Sequence, residues 1–189
     1  DANGGSGAPG DQSGDAGSDV TVSSTVPTRD GYTFTGWNSV ADGSGVDYPA
    51  GSTFTLPSSG SDTLYAQWQI NTATLVYDAN GGSGAPGDQS GDAGSDVTVS
   101  STVPTRDGYT FTGWNTAADG SGTGYSGGDP FTLPSSGSDT LYAQWQINSV
   151  TLTYDAQGGV GEPGDQSGDA GSDVTVSSTV PTRDGYTFT

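Results

Sequence analysis

The stretch Thr28–Asn38 reads Thr-Arg-Asp-Gly-Tyr-Thr-Phe-Thr-Gly-Trp-Asn, returns unchanged at Thr105–Asn115 and begins again at Thr182. Asp-Gly is a strong turn dipeptide, because glycine accepts a positive φ without a Cβ clash. The Tyr-Thr-Phe-Thr that follows alternates rings and hydroxyls at the strand period of two. The stretch therefore predicts a turn that leads into a strand with one face towards a core, to which Trp37 adds a large apolar surface.

The composition of the chain excludes most catalytic chemistry. Its 189 residues include no His, Cys or Met, three basic residues, all of them Arg, and 22 acidic residues. Without an imidazole, a thiolate or an amine, the usual nucleophilic and zinc-dependent sites cannot be built. A pair of carboxylates could hydrolyse a glycoside, but one of them would need an apolar pocket, and nearly all the acids lie among Gly and Ser. We expect no enzymatic activity.

The formal net charge of −19 also argues against nucleic acid as a partner, because the chain would repel a polyanion. Such acidity keeps crowded, surface-displayed chains soluble and apart. The absence of Cys means that packing alone must stabilise the fold, and no apolar run approaches the length of a membrane span.

An internal repeat organises the chain. The sequence Asp-Ala-Asn-Gly-Gly begins at Asp1 and Asp78 and returns as Asp-Ala-Gln-Gly-Gly at Asp155, so that both intervals are 77 residues. A unit of this length suits a small domain with its own core better than it suits a solenoid repeat. We name three stretches accordingly: the first repeat (1–71), which lacks its first strand, the complete second repeat (72–148), and the third repeat (149–189), which is the N-terminal part of a unit.

The second repeat predicts five strands and no helix. Apolar alternation marks a first strand over 73–79 and a closing strand over 140–147. The Gly-rich stretches 83–96 and 116–129 are predicted as exposed loops, and 135–139 as a turn. Short strands are predicted at 97–99 and 131–133, and the central motif 105–115 gives the third strand.

Three spaced motifs carry a resemblance to a known family. A first strand leads into Asp-Ala-Asn-Gly-Gly, followed by Pro-Thr-Arg-Asp-Gly-Tyr-Thr-Phe-Thr-Gly-Trp-Asn and then Thr-Leu-Tyr-Ala-Gln-Trp. In this order they resemble the Listeria-Bacteroides repeat, also called the internalin B-repeat. The resemblance implies a mainly β chain of tandem, small β-grasp-like modules on secreted or wall-attached bacterial proteins, with adhesin and spacer roles. The chain departs from the pattern in its Gly/Ser/Asp loop from Gly81 to Asp96, where a β-grasp domain has a helix or crossover.

The link between repeats predicts an elongated rod. Only Asn148 and Ser149 separate the closing strand of the second repeat from the next first strand. The β-grasp resemblance implies that the first and last strands lie parallel and adjacent, so that a module is entered and left at opposite ends. Successive modules should therefore continue outward, with little contact between non-neighbours.

One candidate metal site lies in an acidic loop. Asp88, Asp92 and Asp96 fall at four-residue spacing among Gly and Ser, and they offer the hard oxygen ligands that calcium takes. The spacing differs from that of an EF-hand, whose ligands alternate, and we favour a solvated acidic loop over a metal site. Calcium is the one cofactor that the sequence suggests, as a weak ligand.

The aromatic residues and the arginines are candidate structural or contact residues. Tryptophans at alternate strand positions are typical of a core, and a sugar-stacking platform is the alternative. Arg29 and Arg106 precede the Asp-Gly turn, where each guanidinium could clamp the fold by lying over a ring or by pairing with the adjacent acids. Tyr65 and Tyr142 lie opposite their neighbouring Trp and are candidates for ligand contact. The predicted structural aromatics are Trp37, Trp68, Tyr109, Phe111, Trp114 and Trp145.

Two functional classes agree with these features. The first is a stiff, acidic stalk or fibre that spaces or displays other domains of a bacterial extracellular or wall-attached protein. The second is an adhesin whose modules each contact a glycan or host protein weakly and multiply the effect by effective concentration. An exposed aromatic patch of roughly several hundred Å² would favour the adhesin.

The two incomplete repeats are complementary in sequence. The first repeat lacks the strand with which the third repeat begins, and a sheet edge readily accepts a strand from elsewhere. We therefore expect either that the ends continue in a longer chain, or that the tail of one molecule completes the head of the next in a head-to-tail fibre.

Overall fold

The computed structural model describes residues 1–189, which form fourteen β-strands and no helix. The first repeat contains β1 (Asp19–Thr21), β2 (Tyr32–Asn38), β3 (Asp47–Tyr48), β4 (Thr53–Thr55) and β5 (Tyr65–Ile70). The second repeat contains β6 (Thr72–Asp78), β7 (Gln89–Asp92), β8 (Asp96–Thr98), β9 (Tyr109–Asn115), β10 (Gly124–Tyr125), β11 (Pro130–Thr132) and β12 (Gly137–Ile147). The third contains β13 (Ser149–Leu152) and β14 (Gln166–Asp169). The mainly β prediction is confirmed.

Short antiparallel pairings and two larger sheets make up the fold. One sheet has the order β3-β2-β5 and the other has the order β10-β9-β12-β6-β7. There are also three two-stranded sheets: β1-β4, β11-β8 and β13-β14. No helical segment has the length and apolarity needed to cross a membrane.

The chain forms two compact units. The first comprises Asp1–Val76, Asp88–Thr98 and Pro130–Asp139, and it holds the β3-β2-β5 sheet with the β1-β4 and β11-β8 pairs. The second comprises Tyr77–Gly87, Val99–Asp129 and Thr140–Thr189, and it holds β9, β10 and the β13-β14 pair.

The turn and the strand predicted for Thr28–Asn38 are both present. Gly31 has a φ of 77°, and the N–H of Tyr32 donates to the carbonyl of Arg29 across the turn at 3.1 Å. A side chain at Gly31 would be strained in this left-handed region. β2 then pairs with β5, and the register shifts at a bulge between Phe34 and Gly36. The motif thus places Phe34 and Trp37 on the face of β2 that packs against the core.

The first strand of the second repeat supplies the centre of its core. Ala73 and Leu75 are fully buried, and Tyr77 is 6% exposed. The ring of Tyr77 packs edge-on against Trp114, with centroids 4.9 Å apart, and its hydroxyl accepts the N–H of Ser100 at 2.8 Å. Alternate residues of β6 therefore face inward, as the period of two predicts.

The loop prediction was wrong at three places in the second repeat. β7 lies within 83–96, β10 lies within 116–129, and β12 begins at Gly137, inside the predicted turn. β7 pairs with β6 through its backbone, from Thr72 opposite Asp92 to Leu75 opposite Gln89. Pairing of this kind uses backbone N–H and C=O groups and needs no apolar side chain, so hydrophobic alternation gives no sign of it.

The burial of β6 generates a prediction with a matched control. Leu75→Ala should lower the free energy of unfolding by about 2–5 kcal/mol, because a cavity replaces a fully buried side chain. The equivalent residue of the third repeat, Leu152, is 37% exposed, and Leu152→Ala should cost less than about 1 kcal/mol. Urea unfolding of the dilute chain measures both, and equal losses would contradict the assigned core.

Candidate functional site

An aromatic cluster fills the first repeat. Phe34 packs edge-on against Trp37 and Trp68, with ring centroids 5.3 and 5.7 Å apart. Trp37 is 3% exposed and Trp68 is half-buried. Edge-on contacts of this kind add to the burial of apolar area. The same contacts recur in the second repeat, at 5.2 and 5.7 Å, among Phe111, Trp114 and Trp145.

The Asp-Ala-Asn-Gly-Gly motif contacts the half-buried Trp of the aromatic cluster in the first and second repeats. In the second repeat, the indole N–H of Trp145 donates to the carbonyl of Ala79 at 3.0 Å. Asn80, at a φ of 48°, donates its side-chain amide to the carbonyls of Ala118 and Ala143. A Cβ at Gly82 would lie 2.5 Å from the Trp145 ring, so only glycine permits this approach. The motif therefore holds Trp145 in the fold.

Tyr65 and Tyr142, the candidates for ligand contact, are half-buried. In the register of the sheets they lie opposite Asn38 and Asn115. All the aromatic side chains of residues 1–148 are buried or half-buried. The exposed large hydrophobic side chains of that stretch are aliphatic: Val26, Val40, Val46, Ile70, Val103 and Ile147.

Each arginine stacks on the tyrosine of its own turn. The guanidinium carbon of Arg29 lies 3.8 Å from the ring centroid of Tyr32, and that of Arg106 lies 4.0 Å from the ring centroid of Tyr109. An arginine over an aromatic face gains a cation–π attraction as well as stacking. The Arg106 guanidinium also lies against the preceding motif, with its Nη1 3.5 Å from the carbonyl of Asn80. An aromatic ring and the adjacent acidic residues were the two predicted partners of the guanidinium, and the structure shows the ring in contact with it.

A buried asparagine organises the loop that follows each Trp. The side-chain oxygen of Asn115 accepts the N–H groups of Ala117 and Gly122, at 2.9 and 3.0 Å, and its amide donates to the carbonyls of Gly120 and Gly122. Asn38 is fully buried and bonds its own loop in the same way. This role was not predicted from the sequence. A Trp-Asn pair ahead of a Gly- and Asp-rich loop is the signal that could have indicated it, since Asn side chains satisfy loop backbone groups.

A single asparagine joins consecutive repeats. The N–H of Asn71 donates to the carbonyl of Gly31 in the first repeat at 2.9 Å, and its carbonyl accepts the N–H of Ala93 in the second at 2.8 Å. Its side-chain oxygen accepts the hydroxyl of Thr33 at 2.6 Å. The same three bonds recur at the next link, with Asn148 bonded to Gly108, Ala170 and Thr110. The link is therefore bonded on both sides by its backbone and held by its side chain.

The carboxylates of the candidate calcium loop do not converge. Asp88, Asp92 and Asp96 are exposed, and no group of three or more acidic side chains in the chain is arranged to hold a metal ion. Asp92 ends β7, whereas Asp96 begins β8 and accepts the hydroxyl of Thr132 at 2.6 Å. Asp92 and Asp96 thus lie in different strands, and Asp88 lies outside both.

Three titratable groups have pKa values displaced by their surroundings. Hydrogen bonds from Ser121 lower the pKa of the Asp119 carboxyl below its usual value of 3.8, and Ser44 acts in the same way on Asp42. A lowered carboxyl pKa stabilises the fold above pH 3.8, and that contribution is lost as the pH falls through the lowered value. Burial raises the pKa of Tyr77 above 10.0, although the N–H of Ser100 acts in the opposite direction. The Tyr77 hydroxyl is therefore neutral near pH 7.

Comparison with known proteins identifies the repeats. The model of the Listeria-Bacteroides repeat domain matches residues 1–67, 74–144 and 151–189. A Gly-rich membrane protein of Evansella cellulosilytica is 43% identical over 141 residues, which cover 70% of this chain and 16% of that protein. Internalin H of Listeria monocytogenes is 39% identical over 132 residues, which cover 66% of this chain and 21% of that protein.

A second membrane protein of Evansella cellulosilytica is 39% identical over 132 residues, covering 67% of this chain and 19% of that protein. The chain thus spans between 16% and 21% of the length of these relatives. No solved structure matches the chain.

The arginine stack generates a prediction about stability. Arg106→Ala should lower the free energy of unfolding by about 0.5–2 kcal/mol, because it removes the cation from the Tyr109 ring. The neighbouring Asp107 is exposed, so Asp107→Asn should change stability by less than about 0.5 kcal/mol. Thermal unfolding of the two variants measures the difference, and an unchanged melting temperature for Arg106→Ala would show that the arginine is no clamp.

Proposed function

The chain belongs to the Listeria-Bacteroides repeat family, and we propose that it acts in a bacterial surface protein as a stiff, acidic, non-catalytic spacer that holds or displays other domains. The observation that carries this proposal is the bonded asparagine between repeats. A spacer transmits distance only if consecutive modules keep a fixed relative orientation, and that orientation is decided at the link.

The backbone of Asn71, the residue that links the first two repeats, is restrained by hydrogen bonds on both sides. Asn71 uses both its N–H and its carbonyl in hydrogen bonds, one to Gly31 in the repeat before it and one to Ala93 in the repeat after it. A free Gly/Ser linker, by contrast, behaves as a random coil. The side chain adds its bond from Thr33 at 2.6 Å, and the whole set recurs at Asn148. An array joined in this way should resist bending at every junction.

The surface chemistry favours a spacer over an adhesin. The aromatic side chains of the first two repeats are buried or half-buried, and the exposed large hydrophobic residues there are aliphatic. A sugar-binding platform needs an exposed aromatic face, and a protein-binding surface needs a contiguous apolar patch. The net charge of −19 would keep neighbouring copies apart on a crowded surface.

The names of the relatives support a cell-surface location. Two relatives are named as membrane proteins, and the family is one of repeats in surface proteins. The relatives are much longer than this chain, which leaves room in such a protein for domains that a spacer would carry. We therefore place the chain in the extracellular part of a cell-surface protein.

Spin labels on equivalent strand residues of two repeats test the stiffness. Thr35 and Thr112 are exposed residues of β2 and β9, and the chain has no cysteine, so Thr35→Cys with Thr112→Cys gives two labels at defined positions. Pulsed electron paramagnetic resonance should give one narrow distance distribution. Asn71→Gly, which removes the side-chain bonds with Thr33 and Ser135 and frees the backbone, should broaden it.

Asn148→Gly is the matched control for this experiment. It makes the same change at the other link, outside the segment between the labels, and should leave the distribution narrow. A broad distribution in the parent pair, or equal broadening by both substitutions, would contradict a stiff spacer.

A further inference from the structure

The first and last strands of the second repeat are neighbours in its sheet. β6 and β12 are hydrogen-bonded to each other and are flanked by β7 and β9. β6 begins at Thr72 and β12 ends at Ile147, so the strand that opens the repeat pairs with the strand that closes it. The chain therefore enters and leaves this repeat through two adjacent strands.

Contacts at both ends of the pair fix the relative direction of the two strands. The side-chain amide of Asn71, one residue before β6, donates at 3.4 Å to the carbonyl of Ser135, two residues before β12. Past the other end of β6, the side-chain amide of Asn80 donates at 2.9 Å to the carbonyl of Ala143, within β12. The starts of the strands are thus close together, and the end of β6 lies further along β12. β6 and β12 therefore run parallel.

Parallel pairing places the entry and the exit of the repeat at opposite ends of one ladder. Tension along the chain pulls Thr72 and Ile147 in opposite directions, along the strands. Because the hydrogen bonds of a parallel pair are evenly spaced, they share this load and must break together as one strand slides past the other. Strands that are pulled apart from one end lose the same bonds one at a time.

Apolar side chains cover the ladder between the two strands. Ala73 and Leu75 of β6 and Leu141 and Ala143 of β12 are fully buried. A hydrogen bond in such surroundings is electrostatically stronger than one in water, and water has little access to replace it. The cover therefore slows the loss of bonds that tension has stretched.

Two further hydrogen bonds tie the segment after β6 to β12. The indole N–H of Trp145 donates to the carbonyl of Ala79 at 3.0 Å, and the amide of Asn80 donates to the carbonyl of Ala143. Sliding β6 along β12 would break both bonds as well as the ladder. The segment after β6 thus adds to the resistance of the strand pair.

We propose that the second repeat is a load-bearing module, in which β6 and β12 resist tension that acts along the chain. The neighbouring parts of the same chain apply the load, through Asn71 at one end and Asn148 at the other. This proposal rests on the spacer function, because a spacer that carries other domains transmits any pull that acts on them.

Single-molecule pulling in two directions tests the proposal. The full chain has no cysteine, so two introduced cysteines define where DNA handles are attached. Thr72→Cys with Gln146→Cys, both at exposed residues, loads β6 and β12 along their ladder. Optical tweezers measure the lifetime of the folded repeat at constant force, and the length of chain released identifies its opening.

The matched control is Thr72→Cys with Ser136→Cys. Ser136 is exposed and directly precedes β12, so the same force now separates the adjacent starts of the two strands. The pair that pulls along the ladder should survive about tenfold longer or more, because several hydrogen bonds must break at once. Equal lifetimes, or a longer lifetime for the control, would overturn the proposal.

The result is separable from the test of the spacer. The pulling handles load one repeat and exclude both linking asparagines, whereas the spin labels report the orientation between repeats without load. Equal lifetimes with a narrow distance distribution would overturn the load-bearing role and leave the stiff spacer standing. A longer lifetime along the ladder with a broad distribution would support the strand pair and contradict the stiff spacer.

Discussion

The insertion of the first strand beside the Trp of the central motif is the interaction on which the second repeat depends. In the second repeat β6 buries Ala73 and Leu75, places Tyr77 on Trp114 and gives β7 its only ladder partner. The residues after Tyr77 then form the turn that receives Trp145. The seven residues of β6 thus contribute to the core, pair with the edge strand β7 and lead into the Asp-Ala-Asn-Gly-Gly motif that contacts Trp145.

The loops of these repeats are ordered by individual side chains and by backbone pairing. The chain contains 33 glycines and no cysteine, so neither disulfides nor a large apolar core can hold the Gly-rich segments. Asn115 alone bonds three residues of the loop that follows it, and Arg106 ties a turn to a ring. Hydrogen bonds from buried polar side chains of this kind fix a loop without apolar contacts.

The sequence predicted those parts of the fold that leave a side-chain pattern. The Asp-Gly turn, the strand after it, the first and closing strands and the Trp core all follow from turn chemistry and period-two alternation. β7 and β10 were missed, because backbone pairing recruits Gly-, Ser- and Asp-rich segments that read as loop. The linking role of Asn71 was missed for another reason: its bonds join residues far apart in the chain, and no local pattern indicates them.

Amide hydrogen exchange at the shared Gln-Ser-Gly-Asp tetrapeptide tests this dependence most directly. Segmental isotope labelling separates the identical sequences, so that nuclear magnetic resonance can follow residues 12–15 and 89–92 in turn. If a first strand creates its own edge partner, the ladder amides of 89–92 should exchange slowly, whereas those of 12–15 in the dilute chain should exchange almost as fast as an unstructured peptide. Equal protection of the two tetrapeptides would contradict the account.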